Sequence, residues 1–149
     1  MAKDFRFERY NGQDLVDNKP EYIEQMRDIF LSRECGKEDV LQYIDDESHI
    51  LCMFDKDTMV GFAWLVLAEK MGLAEISWFV TDKYKTKGMD GKHLLNEVID
   101  YCKSKDIVSV KFNCFDQSWD KIENKEKLFK RIGFEIQRDD DFDASIDIK

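Results

Sequence analysis

Two nearly continuous apolar segments, HILCMF (residues 49–54) and MVGFAWLVL (residues 59–67), flank the short turn DKDT. Apolar segments of this length without polar alternation are typical of strands that are covered on both faces. The turn between them predicts an antiparallel hairpin at the centre of a sheet. Because both faces of such a hairpin must be buried, we expect helices on both faces of the sheet.

Helical and strand patterns alternate along the rest of the chain. Further strands are predicted in DFRFERY, LAEISWFV, IVSVKFNCF, FEIQR and ASIDIK, a loop in NGQDLVDNKP, and helices from Pro20, in GKEDVLQYIDD, after Gly91 and before Gly133. The order is β-α-α-β-β-β-α-β-α-β-β. The strand–loop–helix–strand unit in its middle predicts a parallel, right-handed crossover in an otherwise antiparallel sheet. We therefore expect one domain, 1–149, of mixed α/β class.

Composition narrows the class of protein. The chain has 149 residues, 43% of them hydrophobic, and a net charge of −9. The acidic charge argues against nucleic-acid binding, which needs clustered Lys and Arg. The four cysteines are far apart, and the sequence shows neither a signal peptide nor an apolar stretch of membrane-spanning length. We expect a cytoplasmic protein with reduced cysteines, no membrane partner, and a monomeric or homodimeric state.

The segment KYKTKGMDGK (residues 83–92) holds four lysines and two glycines just before a helical pattern. The N–H groups at a helix N-terminus lack intrahelical partners, and together with the helix dipole they favour an anion. The glycines let phosphate oxygens approach the backbone closely. The segment therefore predicts a phosphate or pyrophosphate site, and an ordinary solvated turn is the alternative.

The element order, the strand EISWFV, the helix start GMDGKHLL and the later LFKRIGFEI resemble the GNAT family of N-acetyltransferases. The resemblance covers nearly the whole chain in order and length. It implies a single-domain GNAT-like fold, with a largely antiparallel, twisted sheet, a central parallel β-α-β crossover and helices on both faces. It also implies acetyl-coenzyme A as co-substrate, without a metal.

By this resemblance, the backbone of the strand end at residues 78–80 pairs with the pantetheine arm and the acetyl carbonyl. KTKGMDG corresponds to the pyrophosphate motif Q/R-x-x-G-x-G/A, with Lys85 at the Q/R position and Gly88 at the first glycine. The final position is either Asp90 or, in a loop one residue longer, Gly91, which we favour. The implied cofactor contacts are Trp78, Phe79, Val80, Lys85, Thr86, Lys87, Gly88, Met89, Asp90, Gly91, Lys92, Asn113 and Phe129.

The resemblance implies Glu75 as the catalytic base, because family members often carry glutamate at this place in the strand. A plain solvated carboxylate is the alternative. Strand alternation predicts Ala74, Ile76, Trp78 and Val80 on one face and Glu75, Ser77 and Phe79 on the other. The N–H of Val80 is the expected donor to the acyl oxygen. Phe129 stands where the family usually has a tyrosine general acid.

These expectations combine into a function. We expect an N-acetyltransferase in which a primary amine of a small molecule or protein attacks acetyl-coenzyme A directly in a ternary complex. The alternative is a GNAT-like binding or regulatory module with weak or no activity; a protein that binds another phosphorylated ligand is a third possibility. A cationic acceptor is expected from acidic residues concentrated in the first two helices: Glu21, Glu24, Asp28, Glu34, Glu38 and Asp39.

Overall fold

A computed structural model describes residues 4–34, 36–113, 122–138 and 142–148. The strands are β1 (Arg6–Asn11), β2 (Ser48–Asp55), β3 (Thr58–Ala68), β4 (Leu73–Thr81), β5 (Ser109–Asn113), β6 (Glu135–Arg138) and β7 (Phe142–Asp147). The helices are α1 (Gly12–Asn18), α2 (Pro20–Ser32), α3 (Gly91–Ser104) and α4 (Ile122–Ile132), with 3₁₀ turns at Glu38–Tyr43 and Glu69–Met71.

The strands form one sheet in the order β1-β2-β3-β4-β5-β7-β6. All neighbouring pairs are antiparallel except β4 and β5, which are parallel. The α3 helix connects these two strands, since parallel neighbours need a crossover. The predicted mixed α/β class and the central crossover are confirmed.

Two hydrophobic clusters cover the two faces of the sheet. The face covered by α3 and α4, hereafter the α3 face, buries the apolar side of α3 together with residues of β3, β4 and β5. The face covered by α1 and α2, hereafter the α2 face, buries α2 residues such as Phe30 against Phe62 and Trp64 of β3. Each central strand therefore has side chains buried on both faces, as the apolar hairpin predicts.

Two of the predicted elements differ from the structure. The segment predicted as a loop after β1 contains helix α1, whose N-terminus is capped by the Asn11 side chain accepting from the N–H groups of Gln13 (2.9 Å) and Asp14 (3.3 Å). Its Gly, Asp and Asn content suits a helix start as well as a turn, so the composition misled the prediction. The second predicted helix is only the 3₁₀ turn at Glu38–Tyr43.

A β-bulge in β4 corrects the predicted side-chain alternation. Trp64 of β3 is opposite Trp78, but its neighbour Leu65 is opposite Ile76, so Ser77 is an extra residue in β4. Ala74 and Ile76 are on the α3 face, whereas Trp78 and Val80 are on the α2 face. The prediction that these four residues share a face was wrong, because one extra residue exchanges the two faces of a strand.

Two of the four cysteines lie among the described residues. Cys52 and Cys102 are free and buried, as expected for reduced cysteines; Cys35 and Cys114 lie outside the described residues. None of the helices in the described ranges is long and apolar enough to cross a membrane.

Candidate functional site

Strands β4 and β5 separate partway along β4. Their ladder runs from Leu73↔Ser109 to Ile76↔Phe112, and β5 ends one residue later at Asn113. The other edge of β4 remains paired with β3 as far as Thr81↔Gly61. Within the described residues, the C-terminal half of β4 therefore has one edge that β5 does not cover, hereafter the open edge.

The direction of the peptide groups decides which atoms the open edge presents. The Asp82 N–H donates to the Val60 carbonyl of β3 (2.8 Å), so it points away from the open edge. By the two-residue alternation of an antiparallel ladder, the N–H and C=O of Val80 also point toward β3. Those of Phe79 and Thr81 point toward the open edge. The N–H of Val80, the donor expected from the sequence, therefore does not face this edge, whereas the N–H of Phe79 does.

A buried aspartate shapes the chain that follows β4. Asp82 has only 4% of its surface exposed, and its Oδ1 accepts from the N–H groups of Tyr84 (2.8 Å) and Lys85 (3.0 Å). Its carbonyl oxygen accepts from the Thr86 hydroxyl (2.6 Å). Aspartate closes turns of this kind through its side chain. Asp82 thus orders the first half of the lysine-rich loop, a role that the sequence analysis missed although a strand-ending T-D-K is a recognisable turn signal.

The second half of the loop leads into α3. The Lys87 N–H donates to Oδ2 of Asp90 (2.8 Å). Within the described residues, the N–H groups of Gly88, Met89 and Gly91 have no hydrogen-bond acceptor. Gly88 has a φ of +50°, a conformation that glycine adopts without strain. The loop therefore presents several backbone donors at the start of a helix, as an anion site requires.

Four lysines lie in this loop or in the first turn of α3. Lys83, Lys85, Lys87 and Lys92 are all exposed. Exposed ammonium groups at the mouth of an anion site raise its positive potential without the cost of desolvation. The structure thus brings together the loop residues that the sequence pointed to.

Gly91 begins α3 and is buried for a packing reason. A Cβ at this position would lie 3.1 Å from Cδ2 of Leu128 in α4 and 3.6 Å from Cε1 of Phe79 in β4. The small residue lets the start of α3 approach the open edge and α4 closely. This crowding explains a glycine at position 91 by packing, and the choice of Gly91 over Asp90 for the final position of the motif stays a prediction.

Glu75 is exposed on the α2 face of β4. Its neighbours in the sheet are Val66 of β3 and Lys111 of β5, which are exposed on the same face. The bulge at Ser77 places Glu75 on the same face as Trp78, whose ring packs edge-on against Phe30 of α2 (centroids 5.4 Å apart). A carboxylate here faces solvent near the groove between α2 and the sheet.

Phe129 is fully buried and belongs to the core. Its ring stacks on Phe112 of β5 (4.9 Å between centroids) and contacts Phe79 (5.7 Å) and Phe134 (4.9 Å) edge-on. These aromatic rings fill the α3 face just where β4 and β5 separate. Phe129 therefore packs under the open edge on the α3 face, and its side chain has no group that could transfer a proton.

The remaining candidates contribute less. Asn113 is the last residue of β5, and its side chain lies outside the described part of the structure. His49 accepts or donates a hydrogen bond with the Tyr101 hydroxyl (2.6 Å), and His93 packs against Phe5 (5.3 Å between centroids). Among the residues that the structure describes, no cluster of His, Cys, Asp and Glu could hold a metal ion.

The comparison with known families identifies the family of this chain. The profile of the Acetyltransferase (GNAT) family matches residues 13–134. The chain belongs to the GNAT acetyltransferase family. The match includes α2, the open edge of β4, the lysine-rich loop, α3 and α4. The resemblance inferred from the sequence is thereby confirmed. Among curated proteins, none matches this sequence significantly.

Solved structures of other GNAT proteins share the fold. The aminoglycoside 6'-N-acetyltransferase from Enterococcus faecium is similar with a TM-score of 0.74 and 15% identity, over 97% of both chains. A GNAT acetyltransferase from Staphylococcus aureus is similar at 0.72 and 17% identity, over 98% of this chain and all of the other. The N-acetyltransferase PaiA from Thermoplasma acidophilum in complex with coenzyme A is similar at 0.65 and 19% identity, over 95% and 99%.

Proposed function

We propose that this GNAT protein transfers an acetyl group from acetyl-coenzyme A to a primary amine, by direct attack of the amine in a ternary complex. The observation that carries the proposal is the open edge of β4, which ends at a loop whose N–H groups at Gly88, Met89 and Gly91 have no acceptor among the described residues. When bound, acetyl-coenzyme A supplies a thioester as the acyl donor.

The residues present fit coenzyme A at its pantetheine arm and at its pyrophosphate. The N–H and C=O of Phe79 offer a strand-like edge to the amide-containing pantetheine arm, as in β-augmentation. The N–H groups of Gly88, Met89 and Gly91 offer donors to a pyrophosphate at the N-terminus of α3. Open space around a Cβ at Gly88 leaves room for phosphate oxygens. The Phe79 N–H is also our candidate donor to the acyl oxygen.

Glu75 is the proposed base. An amine attacks only in its neutral form, so a carboxylate must take a proton from it directly or through water. Glu75 lies on the face that α2 borders, and its solvent exposure allows a water to connect it with the acceptor. With Phe129 buried and without a hydroxyl, the coenzyme thiolate leaves unassisted by that residue and takes its proton from water.

The acceptor is proposed to be cationic. The acidic residues of the segment that contains α2 and the following 3₁₀ turn are exposed except for the half-buried Glu38; the exposed ones are Glu21, Glu24, Asp28, Glu34 and Asp39. Among the described residues, Oε2 of Glu38 is a buried side-chain oxygen that has no hydrogen-bond partner. A buried carboxylate oxygen without a donor is costly, and an ammonium group on the acceptor would supply one.

Thermal unfolding with coenzyme A tests the cofactor. A ligand present at about 100 times its dissociation constant adds ~2.7 kcal/mol of stability, which corresponds to a rise of roughly 5–10 °C in Tm. We expect this rise with acetyl-coenzyme A and free coenzyme A. An equal rise with ATP alone would point to another phosphorylated ligand, and no rise with any of them would exclude the proposal.

The Glu75→Gln variant tests the base. We expect kcat to fall by about 100-fold, the usual contribution of a general base, while the affinity for coenzyme A stays the same. Glu135→Gln is the matched control, because Glu135 is also exposed and lies in the same cross-strand row through Lys111 and Ser145. Equal kcat values in both variants would remove Glu75 from the mechanism.

A binding module without transferase activity is the second candidate. Two observations favour it: the Asp90 carboxylate already holds one N–H of the anion loop, and Phe129 provides no acid. This candidate predicts the same thermal shift with coenzyme A but no release of free thiol from acetyl-coenzyme A with any amine. A screen of polyamines, aminoglycosides and lysine peptides with a thiol reagent separates the two.

A further inference from the structure

Arg33, just after helix α2, reaches the end of β4 with two hydrogen bonds. Its Nε donates to the carbonyl oxygen of Thr81 (2.8 Å), and its Nη2 donates to the hydroxyl of the same residue (2.9 Å). Two donors of one planar guanidinium thus hold two acceptors of one residue. This fork is a geometry that only arginine provides.

The contact lies at the point where the two halves of the candidate coenzyme site meet. The carbonyl of Thr81 points toward the open edge, because the next N–H points toward β3. Cγ2 of Thr81 lies 3.8 Å from a Cβ built on Gly91, the first residue of α3. Arg33 therefore reaches a residue that contacts both the open edge and the start of the anion-binding helix.

A further hydrogen bond joins the end of α2 to the lysine-rich loop. The Lys83 N–H donates to the Ser32 hydroxyl oxygen (3.0 Å), and that hydroxyl donates to the Ile29 carbonyl in the last turn of α2 (2.6 Å). Together, Ser32 and Arg33 hold the end of α2 against the end of β4 and the first residue of the lysine-rich loop.

The Arg33 side chain is not needed to end α2. The backbone N–H of Arg33 already bonds the carbonyls at the helix end, with 3.0 Å to Phe30. A side chain whose only task was capping would turn to those carbonyls instead. Its two bonds to Thr81 bridge 48 residues of sequence.

We propose that Arg33 is a positioning residue for coenzyme A. By fixing the C=O and hydroxyl of Thr81, it sets the spacing between the open edge of β4 and the N–H groups at the start of α3. Coenzyme A must engage both at once, so a misplaced Thr81 weakens binding even though Arg33 acts through another residue. The proposal rests on the proposed function, since it concerns the same coenzyme site.

The test measures the dissociation constant of coenzyme A by calorimetry for the variants Arg33→Gln and Arg33→Lys. Loss of the charge-assisted pair is expected to weaken binding by about tenfold in Arg33→Gln. Arg33→Lys keeps the charge but not the fork, so it is expected to lose most of that affinity too. Arg27→Gln is the matched control, since Arg27 is on the same helix and pairs only loosely with Glu24 (3.8 Å).

Two results would overturn the proposal. One is an Arg33→Gln affinity within twofold of the Arg27→Gln control. The other is full affinity in Arg33→Lys, because charge alone would then account for the effect. A wild-type protein that binds no coenzyme A would refute the proposed function itself, and this inference with it. Wild-type binding with unaffected Arg33 variants would refute the inference alone.

A Thr81→Val variant covers the case in which the arginine variants do not fold. It removes the hydroxyl acceptor and keeps the Cγ2 methyl that packs beside Gly61 and Gly91. We expect coenzyme A affinity to fall by about threefold and the combined Thr81→Val, Arg33→Gln variant to lose less than the product of the single effects. Unchanged affinity in Thr81→Val with independent effects in the double variant would contradict a bridge through Thr81.

Discussion

Replacement of Asp90 by asparagine should tighten the binding of coenzyme A. The Asp90 carboxylate accepts a hydrogen bond from the Lys87 N–H (2.8 Å) at the start of α3, so it orders the loop but also brings a negative charge to the anion site. Asparagine keeps a carbonyl oxygen for the same bond and removes the charge. Alanine removes both, so the two variants separate the electrostatic effect from the ordering of the loop.

The size of the effect follows from the geometry. The amide nitrogens of adjacent residues are ~3–4 Å apart, so a phosphate oxygen on the N–H of Gly88 or Met89 would lie ~6 Å from the Asp90 carboxylate. Coulomb repulsion at ~6 Å is about 0.7 kcal/mol at a dielectric constant of 80 and about 1.4 kcal/mol at 40. The Asp90→Asn variant should therefore bind coenzyme A about 3- to 10-fold more tightly at low salt.

Calorimetric titration at about 0.05 M and about 1 M salt checks this reasoning, because the screening length falls to ~3 Å at 1 M and the gain should disappear there. Asp90→Ala should bind less tightly than Asp90→Asn, since the freed loop loses a bond worth about 1 kcal/mol. Asp100→Asn is the control, an exposed carboxylate ~14 Å further along α3. The reasoning is refuted if Asp90→Asn binds more weakly than wild type or if its gain persists at high salt.

Three further predictions concern stability. Phe129→Ala should cost about 3–5 kcal/mol of unfolding free energy in urea, because the ring is fully buried among aromatic neighbours; a loss under about 1 kcal/mol would contradict its place in the core. Gly91→Val should lower the free energy of unfolding by about 1–3 kcal/mol, because the new side chain would meet Leu128. Gly88→Ala has open space around its Cβ and should lower it by only the ~1 kcal/mol that a positive φ costs. A larger loss in Gly88→Ala than in Gly91→Val would show that the start of α3 is not crowded. Burial, and after it the charge of Lys105, lowers the pKa of His49, so the folded state binds fewer protons than the unfolded state. Stability should therefore be complete above about pH 6.5 and should fall as the pH drops through the folded pKa. His49→Gln should flatten that part of the stability profile measured in urea, and an unchanged slope would assign the pH dependence to other groups.

Much of the fold was predictable because local patterns and tertiary structure agree. The continuous apolar hairpin predicted covered central strands, and β2 and β3 are buried on both faces. Pro20 predicted the first helical position of α2, and Gly133 follows the end of α4 with a φ of +117°. These signals depend only on the backbone preference and burial of the residues concerned.

The bulge in β4 could not be predicted from the local sequence. The segment EISWFV shows the same pattern as an unbroken strand, and nothing in the sequence around Ser77 indicates an extra residue. The register with β3 produces the bulge, and it places Glu75 and Trp78 on one face although they are three residues apart. A pattern of period two cannot reveal such a shift, because the partner strand imposes it.

The sequence alone determined the class of the sheet and the parallel crossover, and it predicted an anion site in the loop before α3, since each of these follows from the type and spacing of neighbouring residues. The tertiary structure decided which groups that loop and strand present. It turned the N–H of Val80 toward β3 and that of Phe79 toward the open edge, and it brought Arg33 to Thr81 across 48 positions. Contacts between residues so distant in the chain leave no local pattern, and only the packing of α2 against β4 creates them.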